Sequence, residues 1–271
     1  MTLTELSTAL KEGGIDNYLG EARQLFCHFG NFTPLSLVGQ NPTLDTPAFR
    51  DAVSRRLAGE PLQYIIGEVV FYNEVYRVTP ACLIPRPDTE VLVEEAIRLL
   101  PEGATFADLC TGSGCIAIST LAHRTDTTAC AYDISREALA LAEENAQKNG
   151  VADRLSLHYL NVLENAPLGT FHAILSNPPY IATSVVDTLT REVKHEPRIA
   201  LDGGVDGLDF YRAIITLGAP ALADNGFFLF EIGYDQEIAI QELARAHGFD
   251  CRVTCDLGGN PRVAYLTKHQ K

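Results

Sequence analysis

Phe106-Ala107-Asp108-Leu109-Cys110-Thr111-Gly112-Ser113-Gly114-Cys115-Ile116-Ala117 reads as a strand that runs into a glycine-rich turn and then a helix. Gly112 and Gly114 permit a tight turn and let a ligand approach the backbone. The helix N-terminus that follows offers N–H groups to an anionic or polar group. Asp108, at the strand end, can accept from a ligand's ammonium directly or through water. From Ala104 onward the pattern alternates. Strands are expected near 105–109, 128–132, 155–159, 172–176 and 226–231, and helices near 115–123, 135–149, 208–222 and 236–247. This alternation predicts an α/β fold with a parallel, doubly wound sheet. Cys251–Asp256, a Gly258-Gly259-Asn260-Pro261 turn and Arg262–Thr267 predict a terminal antiparallel hairpin on the sheet edge.

Upstream the character differs. Residues 1–62 predict a small all-α bundle. Thr2 or Thr4 can cap a first helix ending at Gly13-Gly14, Asp16 or Asn17 a second ending at Gly30, and Thr46-Pro47 is an N-cap followed by proline at the first helical position. Residues 63–87 predict a linker: Val69-Val70-Phe71-Tyr72, a turn at Asn73-Glu74, then Val75-Tyr76-Arg77-Val78, most simply a β-hairpin. Leu83-Ile84-Pro85-Arg86-Pro87-Asp88-Thr89-Glu90 then enters the third segment, 88–271. That turn is either a rigid entry or a wall of the site with Phe71 and Arg86 near the ligand.

Net charge over the 271 residues is −14. Residues 1–60 carry seven acidic and five basic side chains, so the remainder holds −12. A duplex-binding protein normally shows a basic patch, so direct nucleic-acid binding is disfavoured. No run of about 18 uncharged apolar residues occurs and the N-terminus lacks a signal-peptide pattern, so no membrane contact is expected. Seven cysteines without CxxC spacing read as reduced thiols in a cytoplasmic protein with no metal.

Three further motifs carry chemistry. Asp133 ends the second strand, where doubly wound folds place an acid on ribose hydroxyls; both NAD and S-adenosyl-L-methionine carry that ribose, and capping of the next helix is the alternative. Asn161 and Val162 follow the third strand, beside where an adenine would lie, although a turn asparagine is the plain alternative. Ser176-Asn177-Pro178-Pro179-Tyr180 follows the fourth strand. Asn177 and Pro178 both precede a proline and are held extended, which predicts a rigid concavity with a side-chain amide, free carbonyls and an aromatic face, suited to a planar NH2 group. Alone it does not separate adenine from glutamine.

Asp108-x-Cys-Thr-Gly-Ser-Gly, Asp133 and Asn177-Pro178-Pro179-Tyr180 together resemble a class I S-adenosyl-L-methionine-dependent methyltransferase with a Rossmann-like sheet. The stretches 59–67, Leu83 to Glu90 and Glu196-Pro197-Arg198-Ile199-Ala200-Leu201 narrow the resemblance to the PrmC/HemK family of protein-(glutamine-N5) methyltransferases. It spans nearly the whole chain and is tightest from about 59 to 265. The resemblance implies methyl transfer from S-adenosyl-L-methionine, yielding S-adenosyl-L-homocysteine, to a glutamine in a GGQ-type loop of peptide chain release factors. It implies that Thr111, Gly112, Ser113, Gly114, Cys115, Asp133, Val162 and Asn177 contact the cofactor, joined by Asp108 and Asn161, the latter standing where many relatives carry Asp. Asn177, Pro178, Pro179 and Tyr180 would contact the glutamine, with Asn177, Pro178 and Tyr180 catalytic. A monomer is expected.

Three other readings use the same residues. One is N6-adenine or N2-guanine methylation of nucleic acid, which would need a basic groove. A NAD-dependent oxidoreductase leaves 177–180 unexplained, and a catalytically idle binding module leaves the whole pocket unexplained. The segment 181–207 shows no clear element; it is either a cover over the substrate or a disordered excursion. His195 reads as a surface residue, and Glu231 either lines the pocket or caps the next helix.

Overall fold

The computed structural model describes residues 1–269. The chain divides into two units: Met1–Glu68 with Thr190–His195, and Val69–Leu189 with the chain from Glu196 on.

The first unit holds α1 (Leu3–Glu12), α2 (Tyr18–Gly30), α3 (Pro47–Leu57) and α4 (Leu62–Ile66). Thr2 closes a capping box with Glu5, and Thr46 caps α3 by accepting from the Phe49 N–H at 3.2 Å. Leu6, Leu10, Phe26 and Phe49 bury their side chains in one cluster, Phe26 meeting Phe49 edge to face at 5.3 Å. Arg56, 2% exposed, is satisfied by Glu21 at 2.5 Å and by Glu192. A buried guanidinium without such partners would be costly. The partner from 190–195 therefore makes that short piece of a distant loop part of the helical unit.

β1 (Glu68–Phe71), which lies in the second unit from Val69 on, and β2 (Glu74–Arg77) form the expected hairpin. Its loop is Tyr72-Asn73, one residue earlier than expected. Both residues have positive φ, 49° and 78°, the conformation of a type I′ turn, which suits the strand twist and which Asn tolerates well. Along the chain then come α5 (Glu90–Leu99), β3 (Thr105–Leu109), α6 (Cys115–His123), β4 (Thr128–Asp133), α7 (Arg136–Lys148), β5 (Leu155–Tyr159) and β6 (Phe171–Ser176). They are followed by α8 (Thr183–Val186), α9 (Asp209–Gly218), β7 (Leu222–Glu231), α10 (Glu237–Ala246), β8 (Phe249–Cys255) and β9 (Pro261–Lys268).

Seven strands form one sheet in the order β5-β4-β3-β6-β7-β9-β8. All neighbours are parallel except β9, which runs antiparallel to both β7 and β8. The terminal hairpin thus extends the sheet past β7, as expected. Alternation sorts the apolar side chains to two faces. Ala173, Leu175, Phe227 and Leu229 join a core with α5 and α6. Ile174, Phe228 and Phe230 join a second core with α9 and α10. The chain order reverses between β3 and β6, and ligands bind at the carboxyl edge beside such a switch point. Both the glycine-rich turn after β3 and the 177–180 stretch after β6 emerge there.

Candidate active site

Between β3 and α6 the backbone enters the left-handed region three times, at Cys110 (φ 61°), Gly112 (φ 56°) and Gly114 (φ 82°). At Gly114 a Cβ would stand 2.8 Å from Ile118 Cδ1 and 3.2 Å from Ala142 Cβ. Glycine is therefore required there twice over, by conformation and by the close approach of α7. Two carboxylates hold the turn. Asp108 Oδ2 accepts from the Thr111 hydroxyl at 2.6 Å and the Ala117 N–H at 3.3 Å. Asp133 Oδ2 accepts from the Gly112 N–H and Oδ1 from the Ser135 N–H, both at 2.9 Å. The cap of α7 is the Ser135 hydroxyl, which accepts from Ala138 N. Asp133 instead ties the end of β4 to the turn, and each of its oxygens keeps acceptor capacity.

Burial pushes the Asp108 carboxyl up to about 7, against the pull of Thr111 and Ala117. Its Oδ1 is buried without a hydrogen-bond partner. Burial likewise raises Asp133, and raises Glu231 to about 7. A carboxyl whose pKa is higher folded than unfolded binds more protons in the folded state. Its ionisation therefore destabilises the fold progressively as pH rises from the ordinary carboxylate range to about 7. The ligand-free protein is accordingly expected to lose stability between about pH 5 and 7, by on the order of 3 kcal/mol for each of Asp108 and Glu231. Denaturant titrations across that range check the slope, which Asp108→Asn should flatten; a slope unchanged in Asp108→Asn would contradict the assignment.

Register brings the second half of the site alongside. Leu109 pairs with Ser176, and the Ser176 hydroxyl donates to the Leu109 carbonyl at 2.6 Å. Asn177 thus leaves β6 next to the turn that leaves β3. Its Nδ2 donates to Thr89 Oγ1 at 3.3 Å. Neither Asn177 Oδ1 nor the Pro178 carbonyl accepts a hydrogen bond among the described residues. The Tyr180 hydroxyl donates to Glu231 Oε1 at 3.3 Å, and the Tyr180 carbonyl accepts from Gln236 at 3.0 Å. The chain beyond it is not an excursion. Ile181 N donates to Leu201 O and Gly203 N to Ile181 O. Short helical turns fill the intervening residues.

One cavity collects most of the expected residues. Thr111, Gly112, Ser113, Cys115, Asp133, Asn161, Val162, Asn177, Pro179 and Arg86 line it. Asp108 and Gly114 lie behind that lining, supporting the turn, and Pro178 and Tyr180 stand beside it without lining it. Asn161 Oδ1 accepts from the Leu163 N–H at 3.1 Å, so its oxygen serves its own turn even as the residue borders the cavity. Phe71 is a correction. It is 1% exposed and packs edge to face on Tyr76 at 5.9 Å, within the core and away from the cavity wall. An inward position on a short strand places the ring among α5 and α6 side chains. Glu231 neither lines the cavity nor caps α10, whose N-cap is Gln236; it supports Tyr180. His195 is exposed.

Sequence reasoning missed the wall built from Pro197, Ile199 and Ala200. These residues are held by Glu196, 5% exposed, which accepts from the Ile84 N–H at 3.0 Å and from the Arg86 guanidinium. The signal was present as two blocks, Leu83 to Glu90 and Glu196 to Leu201, read separately. They meet in space. Among the described residues no group of three or more metal-ligating side chains occurs, and no helix is long and apolar enough to cross a membrane.

A glycine-rich turn pinned by two acids, beside an Asn-Pro-Pro-Tyr edge at the switch point of a seven-stranded mixed sheet, defines a class I S-adenosyl-L-methionine-dependent methyltransferase. The methyltransferase small domain family matches residues 87–204, and the PrmC N-terminal domain family matches residues 2–67. A methyltransferase from Pyrococcus furiosus shares the fold, with a TM-score of 0.54 at 16% identity over 71% of this chain and 87% of that one. The release factor glutamine methyltransferase of Moorella thermoacetica is 42% identical, covering 91% of this chain and 89% of its own. That of Caulobacter vibrioides is 38% identical, covering 99% and 97%. The chain belongs to the release factor glutamine methyltransferase family.

Proposed function

We propose that the protein transfers a methyl group from S-adenosyl-L-methionine to the side-chain amide nitrogen of a glutamine in a peptide chain release factor. It does so in the cytoplasm, as a monomer and without direct contact to nucleic acid. The observation that carries the reading is the pair of unused acceptors, Asn177 Oδ1 and the Pro178 carbonyl, next to the cavity formed by the glycine-rich turn.

The residues present fit the cofactor. The cavity joins acceptor oxygens at Asp133 to apolar walls at Ile134, Leu160 and Val162, and Asp108 keeps a buried oxygen unpartnered. In this reading Asp133 would hold the ribose hydroxyls, and Ile134 and Val162 would border the adenine. Thr111 to Cys115 would present the turn, with Asp108 beneath it favouring the ammonium. When bound, the cofactor supplies an electrophilic methyl on a sulfonium.

The chain's own work concerns the amide. An amide nitrogen is a poor nucleophile because its lone pair is delocalised into the carbonyl. Asn177 Oδ1 accepts one N–H and the Pro178 carbonyl the other, so both acceptors favour positive charge growing on nitrogen. Asn177 is already tied through Nδ2 to Thr89, and a fixed acceptor of this kind gives preorganised electrostatic stabilisation. Tyr180 lies against the flat amide and, with Pro179 restricting the backbone, fixes its plane. No strong base is required, because the N-methylated cation is acidic. The larger part of the rate gain comes from holding the nucleophile in line.

The alternative class, a methylase of nucleic-acid bases, shares these acceptors but would need a basic groove, and residues 61–271 carry −12. Labelled methyl from the cofactor, offered to a release factor and to nucleic acid in parallel, should appear in the release factor. Label confined to nucleic acid would reverse the assignment.

A further inference from the structure

The glycine-rich turn serves a ligand only if its peptides face one way. Glycine accepts either sign of φ, so Gly112 and Gly114 let the turn form and equally let it rearrange. Asp108 and Asp133 hold its first half, through Thr111 and Gly112. The peptide between Ser113 and Gly114 needs a hold of its own.

That hold comes from α7. Asn145 is fully buried and lies one helical turn from Ala142, which approaches Gly114 closely. Asn145 Nδ2 donates to the Ser113 carbonyl at 2.9 Å. On the opposite edge of the same peptide, the Gly114 N–H donates to the Thr111 carbonyl at 2.9 Å. The peptide plane is therefore fixed from both edges. A primary amide carries one acceptor oxygen and two N–H donors, and turned by half a rotation it would set oxygen against the Ser113 carbonyl. Arg77, at the end of β2, prevents this. The Arg77 N–H donates to Asn145 Oδ1 at 2.7 Å, and the Arg77 carbonyl accepts from Nδ2 at 3.1 Å. Asn145 thus pairs with Arg77 as a neighbouring strand would, and the pairing admits one orientation of the amide. The second proton of Nδ2 is left for Ser113. A buried amide with both donors and its oxygen bonded carries no unmet polar group.

A second asparagine supplies the contrast. Asn149, at the C-cap of α7, donates to the Val75 carbonyl in β2 at 3.2 Å and to the Asn145 carbonyl at 3.0 Å. It ties the same helix to the same strand, but its bonds do not reach the turn.

We infer that Asn145 is a positioning residue for cofactor binding: by bonding at once to Arg77 and to Ser113, it sets the glycine-rich turn from the β1–β2 hairpin before a ligand arrives. The inference rests on the reading that this cavity takes S-adenosyl-L-methionine, and adds to it a residue outside the cavity lining.

The test compares wild type, Asn145→Asp and Asn149→Ala. S-adenosyl-L-methionine binding is measured by calorimetry, folding by thermal melts without cofactor, and turnover on an intact release factor. Asn145→Asp keeps the shape and the acceptor for Arg77 but sets an oxygen against the Ser113 carbonyl. It should weaken cofactor affinity by about 30-fold or more and raise KM for the cofactor to match, while kcat at saturating cofactor and KM for the release factor stay within about threefold. Asn149→Ala should keep cofactor affinity within about threefold even where it lowers the melting temperature. Wild-type cofactor affinity in Asn145→Asp would overturn the inference. So would a lowered kcat at unchanged cofactor KM, which is simple loss of folded protein. Asn149→Ala weakening the cofactor as much as Asn145→Asp would also overturn it, since that pattern belongs to docking of α7 on the hairpin. If Asn145→Asp does not fold, Asn145→Ala is judged by the same criteria. Amide exchange of the ligand-free wild type decides without a variant: the Gly114 N–H should exchange at least about a hundredfold more slowly than an exposed amide, and exchange at the exposed rate would overturn the inference. A wild type that binds S-adenosyl-L-methionine beside unaffected variants refutes this inference alone, whereas a wild type that does not bind it refutes the proposed function and the inference with it.

Discussion

Asn177→Ala is expected to lower kcat for release-factor methylation by about a thousandfold, while the cofactor still binds within about tenfold of wild-type affinity. The size follows from what is removed. In the proposed mechanism Asn177 supplies one of two acceptors for the substrate N–H groups, and water admitted in its place is not preorganised. Loss of a single oriented partner for developing charge costs about a hundred- to a thousandfold in comparable sites. The upper end applies here because amide nitrogen depends on that charge stabilisation to react at all. The affinity is expected to persist because the turn is held without Asn177: Asp108 holds Thr111 and Ala117, and Asp133 holds Gly112. Stopped turnover with calorimetric cofactor binding intact checks it. Full activity would remove Asn177 from the mechanism.

The second large effect is on binding. Asp133→Ala is expected to weaken cofactor affinity by about a hundredfold or more while lowering stability by only about 1 kcal/mol. Two opposing contributions explain the small stability change. The substitution leaves the Gly112 and Ser135 N–H groups without their acceptor. It also removes a buried charge that is costly to ionise and that raises Asp108 further. Nothing comparable offsets the loss of affinity, since the turn loses its tether and, in the proposed binding mode, the ribose hydroxyls lose their acceptor together. Isothermal titration paired with denaturant unfolding separates the two quantities. Unchanged affinity would place the ribose elsewhere.

The strand-to-turn-to-helix reading around Asp108 carried the catalytic fold because each step has a local cause. β3 and β5 lie where alternation placed them, at 105–109 and 155–159. β7 begins earlier than expected, at Leu222, because Ala223-Asp224-Asn225-Gly226 is too polar to read as strand and is accommodated by an irregular register opposite β6. Long-range pairings were the illegible part. Nothing local connects Arg86 with Glu196, Thr89 with Asn177, or Arg56 with Glu192. Each is a polar side chain whose partner is far along the chain and becomes necessary only once burial removes water. Phe71 erred in the other direction, since an aromatic near the wall of a site looks identical in sequence to a core aromatic until its neighbours are known.

Mass spectrometry of a release factor incubated with this enzyme and S-adenosyl-L-methionine tests the central claim most directly. One methyl group should be gained, localised to a glutamine side chain, and it should be absent after incubation with Asn177→Ala. A methyl on any other residue, or an unmodified release factor beside methylated nucleic acid, would contradict it.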